Sequence, residues 1–225
     1  MIYKTKAKSA FTLAEVLITL VIIGIVAALT IPTAISKYQK QQYVAGLKKA
    51  YSLLSQALYK IGQNKGYPVG DYSFVNNSNF VDEFAKVVSI TKKCDTFTEC
   101  FEKDRLNNEN GYKSLSGGVL DSAIADGKSV ITADGQMFSF KISGSLGNYR
   151  GISNDDIENY AGRIVVDLNG LKNPNQFGYD TFMFYIIKNK GIVPAGNYST
   201  SDCRKTSYGW TCAARVLKEN AINYW

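Results

Sequence analysis

Lys8-Ser9-Ala10-Phe11-Thr12-Leu13-Ala14-Glu15-Val16-Leu17-Ile18-Thr19-Leu20 decides how this chain is built. A short basic leader runs straight into an apolar helix, and the helix carries one acid, Glu15, near its start. From Phe11 to Ile31 there are 21 residues and no other charge. At 1.5 Å rise per residue that is roughly 30 Å of helix, about one bilayer core. A lone carboxylate on such a helix costs roughly 2.5–3.5 kcal/mol at the membrane centre, and less near an end. No cation accompanies Glu15 inside the apolar stretch, so its partner is expected on another molecule.

A secretory signal would place Lys4, Lys6 and Lys8 as the basic end and Val16–Leu29 as the apolar core. Glu15 interrupts the start of that core. Ala28-Leu29-Thr30-Ile31-Pro32-Thr33-Ala34 is a poor cleavage site, and the sequence after Pro32 keeps a helical pattern. A plain uncleaved anchor fits the length but leaves Glu15 without a role.

At these residues the chain resembles the precursors of type IV pilins and type II secretion pseudopilins. The resemblance rests on the leader-Phe-Thr-Leu-x-Glu-Val-Leu-Ile-x-Leu pattern, on Gly24 and on Pro32, and its strong part covers residues 4 to 61. It implies a cut by the prepilin peptidase between Ala10 and Phe11, with Phe11 as the new, N-methylated terminus. The family usually has Gly before the cut; Ala10 stands there in this chain. Three parts follow: a leader over 1–10, a transmembrane and assembly helix over 11–35, and an extracytoplasmic domain over 36–225.

Past Pro32 the helical period resumes. Val44, Leu47, Tyr51, Leu54, Leu58 and Ile61 alternate spacings of three and four, so they share one stripe. Pro32 removes a backbone donor and is expected to kink or loosen the helix near 28–32. Gly62, Gly66 and Pro68 end it. The charges between Glu15 and Asp71 are all basic: Lys37, Lys40, Lys48, Lys49, Lys60 and Lys65. From Lys37 onward there are 23 basic and 18 acidic side chains, an excess of five too dispersed to argue for nucleic acid. A solvated face beside anionic lipid heads accounts for those lysines better.

The remainder reads as α+β: a long N-terminal helix, half membrane-spanning and half amphipathic, packed on a small antiparallel sheet. Asn79 is placed to cap a helix over 80–90. Ser129–Ala133, Asp134-Gly135 and Gln136–Ser143 read as a hairpin. Strands are expected at Arg163–Leu168 and Thr181–Lys188, and loops at Asn76–Asn79 and Asn107–Gly118. Cys94, Cys100, Cys203 and Cys212 match neither a redox pair nor a zinc ribbon, and the chain has no His. Outside the cytoplasm they read as disulfides. Of three connectivities, the local one, Cys94–Cys100 with Cys203–Cys212, is expected.

Between the last two expected strands, Val166–Asp180 concentrates short oxygen-bearing side chains with Gly and Pro. It lacks the ligand order of an EF-hand. It resembles the Asp-x-Asn-Gly…Pro-Asn…Gly-x-Asp loops of pseudopilin-like proteins, and the major pseudopilins of type II secretion bind calcium in a loop near here. That implies Asp167, Asn169 and Asp180 as ligands. An Asx-turn loop that hydrogen-bonds itself without metal accounts for the same residues slightly better.

No phosphate-binding loop, no Gly-x-Ser-x-Gly and no His general base occurs, so an enzyme is not expected. Asp155, Asp156 and Glu158 read as a solvated acidic face. The expected function is a structural filament subunit of a type IV pilus, a competence pilus or a type II secretion pseudopilus. Its expected partners are copies of itself and other pilins, the prepilin peptidase and an inner-membrane assembly platform. Its expected place is the inner membrane, single-pass, and then a periplasmic or cell-surface filament. The alternative is an anchored binding or adhesion domain that never polymerises.

Overall fold

A computed structural model of the chain describes residues 11–76, 79–101, 111–120, 127–143 and 151–225. The basic leader, Ala10 included, lies outside the described residues, as do Asn77, Ser78 and 107–110 of the two expected loops. The first helix, α1, spans Leu13–Asn64 and continues unbroken through Pro32. Proline has no N–H, so the bond to the Ala28 carbonyl is missing there, and the neighbouring bonds carry the helix past it.

By contacts the chain divides into Met1–Gln39 and Lys40–Trp225. In the first unit the apolar side chains stand exposed, Leu17, Ile18, Ile23 and Leu29 among them. This stretch of α1 is long and apolar enough to cross a membrane. In the second unit α1 is amphipathic. Val44, Leu47, Leu54, Leu58 and Ile61 of the expected stripe are buried, joined by Ala50 and Ala57. Tyr51 is half-buried and stacks on Phe184 with ring centroids 5.9 Å apart. Gly66 takes a positive φ of 76° two residues past the helix end, a conformation that costs glycine little.

The second helix, α2, spans Phe80–Val87 and is shorter than the spacing predicts. Val88 is already extended (φ −121°, ψ 135°), and Ile90 opens the first strand, β1 (Ile90–Cys94). The β-branched run Val87, Val88, Ile90, Thr91 favours that switch. Asn79 occupies the cap position, but its side chain makes no cap bond. Then come α3 (Phe97–Cys100), β2 (Lys128–Thr132), β3 (Met137–Ile142), α4 (Asn154–Glu158), β4 (Tyr160–Asp167), β5 (Thr181–Ile187), β6 (Gly191–Pro194) and α5 (Cys212–Glu219). The six strands form one sheet in the order β1-β2-β3-β4-β5-β6, every neighbouring pair antiparallel. The architecture is the expected α+β: a long N-terminal helix followed by an antiparallel sheet.

The β2–β3 hairpin turns over Ala133-Asp134-Gly135. Gly135 N donates to Thr132 O (2.9 Å) and Thr132 N to Gln136 O (2.9 Å), with Gly135 at φ 87°. This is a three-residue loop with glycine in the left-handed position, one residue longer than the tightest Asp-Gly turn. Lys49 on α1 pairs with Asp134 at its tip (Nζ–Oδ2 2.7 Å).

Both faces of the sheet are covered. On one, Phe138, Phe140, Ile164, Val166, Phe182 and Phe184 pack under α1, α2 and α5. Burial of each phenyl ring contributes roughly 1.5–3 kcal/mol. On the other, Met137, Val165, Met183 and Tyr185 pack against Phe101, Tyr112, Phe177 and the Cys94–Cys100 pair. Every residue of β4 and β5 is therefore buried, and these central strands read as continuous apolar runs without alternation. Asp156, expected on a solvated face, is instead 5% exposed; its carboxylate accepts from Lys190 (2.6 Å) and its backbone N–H donates to Ser153, which caps α4.

Disulfides join Cys94 to Cys100 and Cys203 to Cys212, the local connectivity. Each short loop contributes roughly 2–3 kcal/mol in the chain-entropy model. Peptide mapping without reduction is expected to show both links and no free thiol. A peptide joining Cys94 to Cys203 or Cys212 would contradict this.

Candidate functional site

Two constellations carry polar groups that core packing alone does not require. The first opens α1. Thr12 stands at the N-cap position and Glu15 three residues on. Glu15 Oε2 accepts from Thr12 N (2.8 Å) and from Thr12 Oγ1 (2.8 Å), while Thr12 Oγ1 accepts from Glu15 N (3.2 Å). This reciprocal capping box satisfies helix-end donors that would otherwise be orphaned. It also gives the acid a hydrogen-bonding partner within its own chain, which the search for a charged partner overlooks. The signal was present as Thr12-x-x-Glu15. Phe11, one residue before the cap, is 86% exposed, so the group that precedes the helix is open to a neighbour.

The second constellation lies between β4 and β5, whose facing ends are Asp167 and Thr181. Both Asp167 and Asp180 are buried. Asp167 Oδ2 accepts from the Tyr112 hydroxyl (2.7 Å) and Oδ1 from Asn169 N (3.1 Å). Asp180 accepts from Asn175 N (3.0 Å), Gln176 N (2.8 Å) and the Thr181 hydroxyl (3.3 Å). Asn169 donates through its amide to Asn173 O (3.3 Å), and its Oδ1 is buried without a hydrogen-bond partner. The loop thus gathers all three residues singled out in the sequence. Both carboxylates are engaged by backbone N–H groups, and Asp167 also holds the Tyr112 hydroxyl.

Asn175, which sequence reasoning passed over, stands at the centre. It is fully buried, with φ 50°, and follows Pro174, whose own bond to Asn173 is cis. The terminal atom of its amide lies 3.2 Å from Asp167 Oδ2, 3.2 Å from Gly170 O and 2.9 Å from Lys172 O. With the nitrogen inward, the amide donates to these acceptors and the loop closes on itself. With the oxygen inward, four oxygens face one another, an arrangement that repels unless a cation sits among them. Ligands of calcium held at about 2.4 Å lie roughly 2.8–3.4 Å from each other, and the three distances from the Asn175 amide atom fall in that range. No group of three or more His, Cys, Asp or Glu that could hold a metal occurs among the described residues. A cation here would therefore rest on one carboxylate, an amide and carbonyls, with water completing its shell, and a hard ion fits that donor set.

Burial dominates the electrostatics of this loop. It holds the Asp167 carboxyl well above the usual range, and the neighbouring Asp180 charge adds to the effect. Burial raises Asp180 to about 6, against the pull of the N–H donors on it. Burial and the Asp167 charge raise Tyr112 as well.

Residues 5–31 match the family model described as the prokaryotic N-terminal methylation motif. That stretch is the prepilin-type cleavage and methylation segment of type IV pilins and pseudopilins. No curated protein and no solved structure matches the chain.

Proposed function

We propose that this chain is the precursor of a filament subunit, cut between Ala10 and Phe11, methylated on Phe11 and assembled through α1. The observation that carries this reading is the prepilin-type segment over 5–31 on an exposed apolar helix that holds one capped acid. The family of that motif is structural, not catalytic. The helix is the single-pass inner-membrane anchor, and 36–225 is the extracytoplasmic domain, where disulfides persist. The partners are the prepilin peptidase, the assembly platform, and copies of the same chain or other pilins. The filament is a secretion pseudopilus or a pilus of the type IV or competence kind. Whole-cell crosslinking and pull-down separates this from a solitary anchored adhesion domain: the subunit captures pilin-like chains and platform proteins, the solitary domain neither.

Processing has its own test. Mass spectrometry of the membrane-extracted protein, made alongside its peptidase, should give an N-terminus at Phe11 carrying one extra methyl. An intact leader, or a terminus beyond Ala28, would rule the reading out.

A second reading concerns the β4–β5 loop, where an Asn175 amide with its oxygen inward would join the oxygens of Asp167, Gly170 and Lys172. In this reading Asp167, Asn175 and the carbonyls of Gly170 and Lys172 hold calcium, with Asn169 and Asp180 beside them. The ion would supply charge neutralisation between two buried acids and tie the end of β4 to the start of β5.

A further inference from the structure

We propose that the segment Ile222–Trp225 is a strap that joins the 167–180 loop and the Lys40–Leu47 turns of α1 into one cooperative unit. The proposal rests on contacts within Lys40–Trp225 and holds whether or not the loop takes a cation.

Ile222 anchors the strap in the core at 2% exposure. The Tyr224 hydroxyl donates to Gly178 O (2.6 Å), and Trp225 Nε1 donates to the same carbonyl (3.3 Å). The Trp225 ring stacks on Tyr179 with centroids 3.7 Å apart and planes 10° apart. Its other engagement is with α1. The Lys40 ammonium lies 4.0 Å from the Trp225 ring centroid and donates to the Trp225 main-chain oxygen (2.7 Å). Arg215 of α5 lies over the Tyr224 ring at 5.3 Å. Trp225 therefore bridges a loop residue and a helix residue through its ring.

The loop also meets these turns of α1 directly. A β-carbon at Gly46 would sit 3.4 Å from Leu168, so the helix backbone and the loop are already close there. Burial, with the charges of Asp180 and Asp167 adding to it, raises the Tyr43 hydroxyl on the same turns. Gln136 Nε2 donates to Gly46 O (3.3 Å) and fixes the hairpin end to the same turn. Gly178 and Tyr179 precede Asp180 directly, so a strap that grips them holds the acid that organises Asn175 and Gln176. Opening the loop without loosening the helix would break the stacked pair and both bonds to Gly178 if the strap stays on the helix, or the Lys40 contacts if it moves with the loop.

Hydrogen–deuterium exchange on the full chain in detergent micelles, with chelator present, tests this. Trp225→Ala should speed exchange about tenfold in both 167–180 and 40–47, the opening penalty that one stacked pair and one cation–π contact supply. The β2–β3 amides should be unchanged, which shows that the fold is intact. Trp225→Phe keeps a ring and loses the indole donor, so it should give a smaller change in the same two segments. Lys40→Met, altered only on the helix side, should also speed exchange in the loop. Adding Lys40→Met to Trp225→Ala should give less than the sum of the two effects, because the ring contact can be lost only once and only the Lys40 bond to the main-chain oxygen of residue 225 is left to lose. Faster loop exchange with an unchanged helix in Trp225→Ala, or additive effects in the double variant, would overturn the proposal. Loss of the calcium reading would leave these outcomes unaltered.

Discussion

Glu15→Val is expected to stay in the membrane and to drop out of filaments. The substitution removes a carboxylate that costs roughly 2.5–3.5 kcal/mol at a membrane centre and less near a helix end. It also breaks the capping box with Thr12, at about 1 kcal/mol. The two effects oppose each other and are of similar size near a helix end, so the apolar stretch over 11–31 should hold the variant subunit in the membrane about as well as the wild type. What it loses is the charge. Under the proposed processing, Phe11 would carry a positive amine in an apolar setting, four residues from its own Glu15 and equally available to a neighbour's. In a staggered bundle each group neutralises the other's desolvation, so the pair fixes register more than it adds net stability. Glu15→Gln separates charge from capping, because Gln at this position still completes a capping box. Gln should assemble nearly as poorly as Val. Thr12→Val, which removes the hydroxyl and keeps the charge, should slow assembly without stopping it. Filament yield from sheared cells, with membrane-bound subunit as the reference, is the measurement. Normal yield for Glu15→Val would sink the assembly role, and normal yield for Glu15→Gln would move that role to the cap.

Local signals made the elements legible where one residue type forces one geometry. The α1 stripe from Val44 to Ile61 was visible because an amphipathic helix repeats every three or four residues, and its burial follows that repeat. Gly66 marked the end because only glycine takes φ 76° at little cost. β1 and β6 were not legible. β1 carries Thr91, Lys92 and Lys93 on an exposed edge, without the apolar alternation that marks a strand. β6 has four residues and ends at Pro194. Of the α4 acids, Asp155 and Glu158 are exposed as read, and only Asp156 misled, because it is paired with Lys190, far away in sequence. The candidate loop was legible as a concentration of Asp, Asn, Gly and Pro. Which residue stands at its centre was not. Asn175 holds that place through a backbone bend after Pro174, and Tyr112 reaches Asp167 from 55 residues away. Thr12 was quoted in the deciding stretch, yet its bond to Glu15 emerges only when the helix end is built.

Calcium should raise the melting temperature of the full chain in micelles, and the rise should grow with pH. The sign follows from the two buried acids. Asp180 titrates at about 6 in the folded chain, above its unfolded value, and Asp167 is raised as well. The folded state therefore binds protons more tightly than the unfolded state. Stability from this source is full below the ordinary carboxylate range and is lost as pH rises through about 6. For Asp180 the loss is on the order of 3 kcal/mol once both states are ionised. A cation in the loop takes the place of the missing proton and cancels that loss. With one carboxylate in the oxygen cluster and a second nearby, affinity should lie with extracellular modules, roughly 10⁻⁵–10⁻³ M. At the tight end of that range, millimolar calcium stands at about 100 times Kd and contributes about 2.7 kcal/mol. For a chain of this size that is roughly 5–10 °C at pH 7.5. At pH 4.5, where the protons already neutralise the acids, calcium should shift the melt little. Asn175→Ala removes the amide oxygen and should abolish the calcium shift. It should lower the melt in chelator too, since Asp167, Gly170 and Lys172 lose the amide between them. Identical wild-type melts in calcium and chelator at pH 7.5 would falsify the metal reading. The amide would then have its nitrogen inward, and the loop would be held by its own hydrogen bonds.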